Sequence, residues 1–198
     1  MLESEMTQDL FLYGQTAAAP AQEAVRPEAR LVERVCDGDA EAFEELYRMF
    51  APLVHGILLS RVPYDDVKDL VQEVFLAAYK NLPGLRDRNL VGAWLSRIAR
   101  NHAAEYYRHT RPTEELSETI SSRHNPKAEA VEILTAIKDL PETYRETLVL
   151  RLIEGMTGNE IADRTGLTPE SVRVNLHRGM EMLREKLGLQ KPARKQGA

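Results

Sequence analysis

The stretch that decides the fold is "TGNEIADRTGLTPESVRVNLHRGMEMLREKL", residues 157–187. Thr157 to Glu160, "TGNE", has the form of a capping box, in which a threonine and a glutamate three residues on satisfy each other's free backbone N–H groups. Gly166 ends the helix that follows. Thr168 offers a hydroxyl to cap the next one, and Pro169 sits in its first turn. The spacing predicts helices over about 158–165 and 169–187, the second longer and more basic, joined by a tight turn. That is a helix-turn-helix, although a plain helical hairpin leaves a similar trace. In the second helix Val172, Leu176, Met180, Leu183 and Leu187 fall on one stripe at about 100° per residue. Val174 points away from that stripe, beside His177 and Arg178. A single exposed valine is common. In a major groove, however, its methyls pack against the C5-methyl of thymine.

Working outward, every periodic segment is helical, and no run alternates with the period of a strand. The expected class is all-α: two small helical domains joined by a flexible linker, the C-terminal one a helix-turn-helix. A helix over about 27–36 ends at "DGD". Asp39 caps a second helix bearing Phe43, Leu46, Tyr47, Phe50, Val54, Ile57 and Leu58, in which Pro52 is expected to impose a kink or a restart. A third carries Val67, Leu70, Val71, Val74, Phe75 and Ala78 and stops at Pro83-Gly84. A fourth runs over about 91–109. Residues 110–127 are rich in Ser, Thr, Pro and charge and read as a linker. Helices over about 128–139 and 142–154 then lead into the deciding stretch. Residues 1–29 are expected to be a disordered extension, with the apolar Leu10 to Tyr13 inside it, and residues 188–198 a basic tail.

The chain has 198 residues and a net charge of −5, but the charge is unevenly spread. Residues 80–112 carry seven Lys/Arg against two Asp/Glu, and residues 164–198 carry eight against three. Local fields decide where a polyanion binds, so these two basic islands outweigh the total. Both have the alternative of being ordinary solvated faces. In the fourth helix Trp94, Leu95, Ile98, His102 and Tyr106 share one side, with His102 read as a half-buried core histidine. Ser96, Arg97, Arg100, Tyr107, Arg108 and Arg111 share the other. Arginines interleaved with a tyrosine suit a phosphate track beside a stacking surface for an unpaired base. The third helix is the reverse, with Asp69, Gln72, Glu73 and Leu76 outward. An acidic face around one leucine has the character of a small protein-docking surface, although the residues alone read more simply as a solvated face.

Catalytic constellations are lacking. The five histidines are scattered, none at metal-ligand spacing, and no glycine-rich phosphate loop is present. The single cysteine, Cys36, rules out a disulfide framework and reads as inert. Neither a cofactor nor an enzymatic activity is expected. No stretch approaches about 18 consecutive apolar residues. The acidic start of the chain lacks the order of a signal peptide, so the cytoplasm is the expected location.

Four segments together resemble a known family: "DGDAEAFEELYRMFAPLVHGI", "DDVKDLVQEVFLAAYKNL", "AWLSRIARNHAAEYYRH" and the run from Leu140 to Leu187. The resemblance is to bacterial RNA polymerase sigma factors of the extracytoplasmic-function (ECF) class in the sigma-70 family. It covers roughly residues 30–109 and 128–187, in the family's order and spacing. It implies a region-2-like domain over 30–109 that binds the clamp helices of the polymerase's largest subunit and captures the melted −10 element. It implies a region-4-like domain over 128–187 that docks the flap of the second-largest subunit and reads the −35 element. By position, Asp69, Gln72 and Glu73, with Leu76 beside them, match the clamp-binding face. Arg97, Arg100, Asn101 and Tyr107, with Arg108, match the −10 helix. Arg173, Val174, Asn175, His177 and Arg178 match the −35 helix. The loop "PGLRDRNLVG" would hold a flipped base, and the family implies an anti-sigma factor as a further partner. Two positions depart from the family's habit: Glu105 replaces a frequent aspartate, and Gly179-Met180 replaces a common alanine-arginine pair. The competing reading is an ordinary helix-turn-helix regulator with an N-terminal sensor domain. It predicts an apolar ligand pocket in residues 30–109, and it needs neither the acidic third helix nor the basic fourth.

Overall fold

The computed structural model describes residues 26–109 and 126–189. The expectations for residues 1–25, for the linker up to residue 125 and for the basic tail fall outside them. Eight α-helices make up the described chain: α1 (Pro27–Cys36), α2 (Ala40–Leu59), α3 (Tyr64–Asn81), α4 (Val91–His109), α5 (Pro126–Lys138), α6 (Glu142–Leu152), α7 (Gly158–Thr165) and α8 (Pro169–Lys186). Two short 3₁₀ turns, Leu82–Gly84 and Arg88–Leu90, connect α3 to α4. Among the described residues there is no strand.

The helix ends follow from local chemistry. The Asp39 carboxylate accepts from the Ala42 N–H at the start of α2. Thr157 and Glu160 form the reciprocal capping box on α7. Gly166 closes α7 in the left-handed conformation, φ 78°, where a side chain would be strained. The Thr168 hydroxyl accepts from the Ser171 N–H to open α8 behind Pro169. Of the two outcomes expected at Pro52, a restart does not occur: α2 is one helix from Ala40 to Leu59. The flanking Phe50, Leu53, Val54 and Ile57 are all buried. Burial of that order, about 1.5–3 kcal/mol per large apolar side chain, offsets the cost of the missing hydrogen bond, about 3 kcal/mol.

α2 forms the centre of the first group of helices, packing against α1, α3 and α4. α6 is the centre of the second, lying between α8 and α5. The two groups also pack on each other, α6 against α2 and α7 against α4, so one buried cluster runs from Leu31 through Leu148 to Leu183. The sequence left this arrangement open. α6 shows why it arises: Glu146, Thr147, Leu148, Val149 and Leu150 are five consecutive buried residues, and a helix buried all round needs partners on more than one side.

Candidate nucleic-acid interface

Three faces carry the expected site residues, and each is set by which stripe its helix buries. On α3 the stripe of Val67, Leu70, Val71, Val74 and Phe75 is buried. Asp69, Gln72 and Glu73 are therefore exposed, and Leu76 stands 56% exposed among them. Tyr79, which sequence reasoning passed over, continues this face. It is 52% exposed, and its ring meets Phe43 edge-on at 4.9 Å. Its spacing, three residues after Leu76, was the available signal. His102 lies on the neighbouring helix, half-buried, with Nδ1 3.7 Å from the Glu73 carboxylate.

On α8 the buried residues are Val172, Asn175, Gly179 and Leu183. Arg173, Val174, His177 and Arg178 are left together on the outer face, with Val174 41% exposed. His177 also lies 3.6 Å from Glu181 one turn on. Asn175 is a correction to the expected face. It is only 9% exposed, because it sits three residues after Val172 and four before Gly179 and so shares their stripe. The departure at Gly179 has a packing reason. A Cβ there would lie 2.9 Å from Leu148 Cδ1 and 3.1 Å from Tyr144 Cβ, so α8 rests directly on α6. Met180, where the family commonly has arginine, is half-buried against the core.

α4 is divided. Arg97, Asn101, Tyr107 and Arg108 are exposed. The Tyr107 ring is 55% exposed while its hydroxyl donates to the Arg61 carbonyl at 2.7 Å. Ser96 and Arg100, expected on the same outward face, instead meet the second group of helices, Arg100 with its side chain 33% exposed. Ser96 is fully buried, and its hydroxyl donates to the Arg164 carbonyl of α7. Arg100 grips Glu146 of α6 side-on: Nε donates to Oε2 at 3.0 Å and Nη2 donates to Oε1 at 2.6 Å. Arg61 donates to the same carboxylate at 2.7 Å, and also to Glu142. Burial alone would push the Glu146 carboxyl up. The hydrogen bonds and charges of Arg100 and Arg61 outweigh burial and hold it below the usual carboxylate range. Glu142 is held down chiefly by its hydrogen bond to Arg61.

The predicted base-holding loop lies over the two 3₁₀ turns. Beside it, between α3 and α4, is an open groove lined by Asn81, Gly84, Trp94, Ile98, Asn101 and His102, among others. Among the described residues no group of three His, Cys, Asp or Glu side chains is placed to hold a metal. No described helix is long and apolar enough to cross a membrane.

The described residues thus form helices alone, with one acidic face, a divided basic helix and a helix-turn-helix. Comparison with known proteins agrees. Residues 46–113 match the family model "Sigma-70 region 2", and residues 130–183 match "Sigma-70, region 4". The RNA polymerase sigma factor CarQ of Myxococcus xanthus is 32% identical over 79% of this chain and 95% of its own length. The ECF RNA polymerase sigma-E factor of Escherichia coli K12 is 30% identical over 79% and 92%. Among solved structures, CnrH in complex with the cytosolic domain of CnrY has a TM-score of 0.60 at 26% identity, covering 81% of this chain and 97% of that one. The sigma factor RpoE of Bartonella quintana, solved with the anti-sigma factor NepR, shares the fold at a TM-score of 0.54 and 17% identity, over 77% of this chain and 100% of that one. The chain belongs to the sigma-70 family, among the ECF sigma factors. It directs promoter-specific transcription.

Proposed function

We propose that this protein binds core RNA polymerase through the α3 face, captures the melted −10 strand with α4 and reads the −35 element with α8. Residues 30–109 form the first working domain and residues 128–187 the second, which also docks the polymerase flap. The observation that carries the reading is the α3 face: Asp69, Gln72 and Glu73 are exposed around the outward Leu76 and Tyr79. A face both acidic and apolar repels DNA phosphates and suits a basic protein surface instead. The role of α4 is supported by the exposed Arg97, Tyr107 and Arg108 along one helix. That of α8 is supported by Arg173, Val174, His177 and Arg178 standing together behind a capped N-terminus, as a recognition helix requires.

The protein acts without catalysis of its own, as a specificity subunit in the cytoplasm. An anti-sigma factor is a further partner. Its support is the family resemblance and the solved relative CnrH, whose structure holds the cytosolic domain of CnrY. The test of the docking face is co-elution with core polymerase. Wild-type protein is expected to co-elute with core enzyme. The Asp69→Lys/Glu73→Lys double variant is expected to keep its helical content and lose co-elution. Wild-type co-elution of the double variant would overturn the assignment of the face.

A further inference from the structure

α1 precedes the stretch that matches the region 2 model, residues 46–113, and it carries none of the three faces described above. Its inner stripe, Ala29, Leu31, Val32 and Val35, is buried. One flank of it lies against the second 3₁₀ turn, Arg88–Leu90, in the loop between α3 and α4.

That loop is anchored in the core at both ends, while its middle is open to solvent. Leu82 and Val91 are 1% and 0% exposed, whereas Arg86, Asp87 and Arg88 are exposed. Inside the loop the Asp87 carboxylate accepts from the Asn89 N–H at 3.0 Å and shapes the turn. Two contacts then tie the turn to α1. The Arg26 N–H, at the cap of α1, donates to Asn89 Oδ1 at 3.2 Å. The Arg88 guanidinium donates from Nη1 to Glu33 Oε1 at 2.7 Å. Arg26 and Glu33 are seven residues apart, roughly 10 Å along a helix that rises about 1.5 Å per residue. A turn held at two such separated points is fixed in rotation as well as in place.

The Arg88 and Glu33 side chains are 43% and 49% exposed, and an exposed pair of this kind adds little to the stability of a whole fold. What it fixes is the orientation of the turn. A turn free to rotate binds a ligand only in the fraction of molecules that present the right side of it. With Arg88 and Asn89 engaged by α1, the side chains left to face outward are Arg86 and Leu90. Arg86 has no ion pair or hydrogen bond among the described residues, and Leu90 is 55% exposed. An apolar side chain and a guanidinium on one short loop suit an unpaired base: the first covers its face and the second donates to acceptors on its edge.

We propose that α1 sets base selectivity in the loop between α3 and α4. Glu33, acting through Arg88, and the Arg26 N–H, acting through Asn89, orient the second 3₁₀ turn so that Arg86 and Leu90 meet an unpaired base of the −10 strand. The inference rests on the reading of this loop as the holder of a flipped base. Glu33 is a positioning residue in this scheme and touches no DNA. Its effect falls on selectivity before affinity: a turn that rotates accepts more than one base, while the phosphate contacts of α4 are unaltered.

The test is transcription by core polymerase with the full chain, from a promoter found by run-off on genomic fragments and then randomised at its −10 element. The transcripts are sequenced to give the base preference at each position. Wild-type protein is expected to prefer one base at one position of the element. Glu33→Gln, and Arg88→Gln from the other side of the pair, are expected to flatten that preference about fivefold, the shift that an exposed ion pair sustains. Tm and co-elution with core polymerase are expected to stay as in wild type. The charge-swapped Glu33→Arg/Arg88→Glu double variant is expected to restore the preference, which a loss of fold does not predict. Wild-type preference in Glu33→Gln, with the preference lost in Arg86→Ala/Leu90→Ala, would overturn the role of α1 and leave the reading of the loop standing. A flattened preference that the swap does not restore would show that Arg88 itself meets DNA, and it would overturn the route through Glu33. An unaltered preference in Arg86→Ala/Leu90→Ala would overturn the reading of the loop and the proposal with it.

Discussion

α4 and α8 are the two helices we propose to face DNA, and they stand in different states. α8 turns Arg173, Val174, His177 and Arg178 to solvent together and rests on its own group of helices through Gly179. α4 keeps Arg97 and Arg108 outward but gives Ser96 and Arg100 to α7 and α6. Both helices are basic in sequence, so composition does not separate them. What separates them is the neighbour: α8 has a helix behind it, whereas α4 has one behind and one in front. A basic face is therefore a reservoir of contacts, and the fold decides how much of it is available at a given moment.

The largest expected effect separates the two glycine contacts. Gly179→Leu drives a side chain into Leu148 and Tyr144, and overpacking of this kind costs about 1–3 kcal/mol, which shows as a lowered Tm. Because α8 is displaced, duplex binding falls with it. Gly56→Leu drives a side chain into Leu150 and Glu154 instead, where α2 packs on α6 at the seam between the two groups of helices, and is expected to leave binding to a −35 duplex within about twofold, since α8 keeps its own support. Equal loss of duplex binding in the two variants would mean that α8 depends on the seam as much as α4 does.

Next comes the stacking surface. Tyr107→Ala is expected to weaken promoter opening by about 1–3 kcal/mol if an unpaired base stacks on the ring, read by permanganate footprinting. An unchanged footprint would leave the tyrosine as a surface residue tied to Arg61. Val174→Ser is smaller, roughly 1 kcal/mol at a single −35 position. Replacing the thymine there with uracil is expected to erase the difference. An unaltered preference across a randomised promoter library would remove Val174 from the reading face.

The smallest effect is that of pH on the seam. Glu146 and Glu142 are held below their ordinary value of 4.5 while the two groups of helices are packed together, so separating the groups raises their affinity for protons. Their contribution to that packing is fully present above pH 4.5 and is lost as pH falls through the depressed values. In protein carrying Cys36→Ser and spin labels at Glu41→Cys and Glu170→Cys, two exposed positions, one on each group of helices, the distance distribution is expected to stay narrow near neutrality and to broaden on acidification below 4.5, less so in Glu146→Gln, which has one titrating group fewer. Broadening on going alkaline instead would contradict the role of the carboxylates.

Much of this was legible in the sequence. Caps and turn residues placed α7 and α8, and the apolar stripe of α3 left its acidic face outward. Val174 was visible because it breaks a periodic pattern. Asn175 was legible too, since it shares the spacing of Val172 and Gly179, but the family resemblance placed it with the residues expected to face DNA. The seam was much harder to read. A glutamate five residues after the proline that leads into a helix reads as surface, and only Leu148, Val149 and Leu150 in succession hint that α6 is enclosed on several sides. Which helix encloses it depends on contacts such as Glu146 with Arg61, separated by 85 residues. Periodicity carries no information at that range.

The most direct measurement compares arginine side chains in one spectrum. In protein labelled with nitrogen-15 arginine, hydrogen exchange at the Arg100 Nε–H, which is bonded to Glu146, is expected to be at least about tenfold slower than at Arg97 and Arg178, and to approach theirs in Glu146→Gln. Equal exchange at all three in the free wild-type protein would contradict the account, because α4 would then be as open as α8.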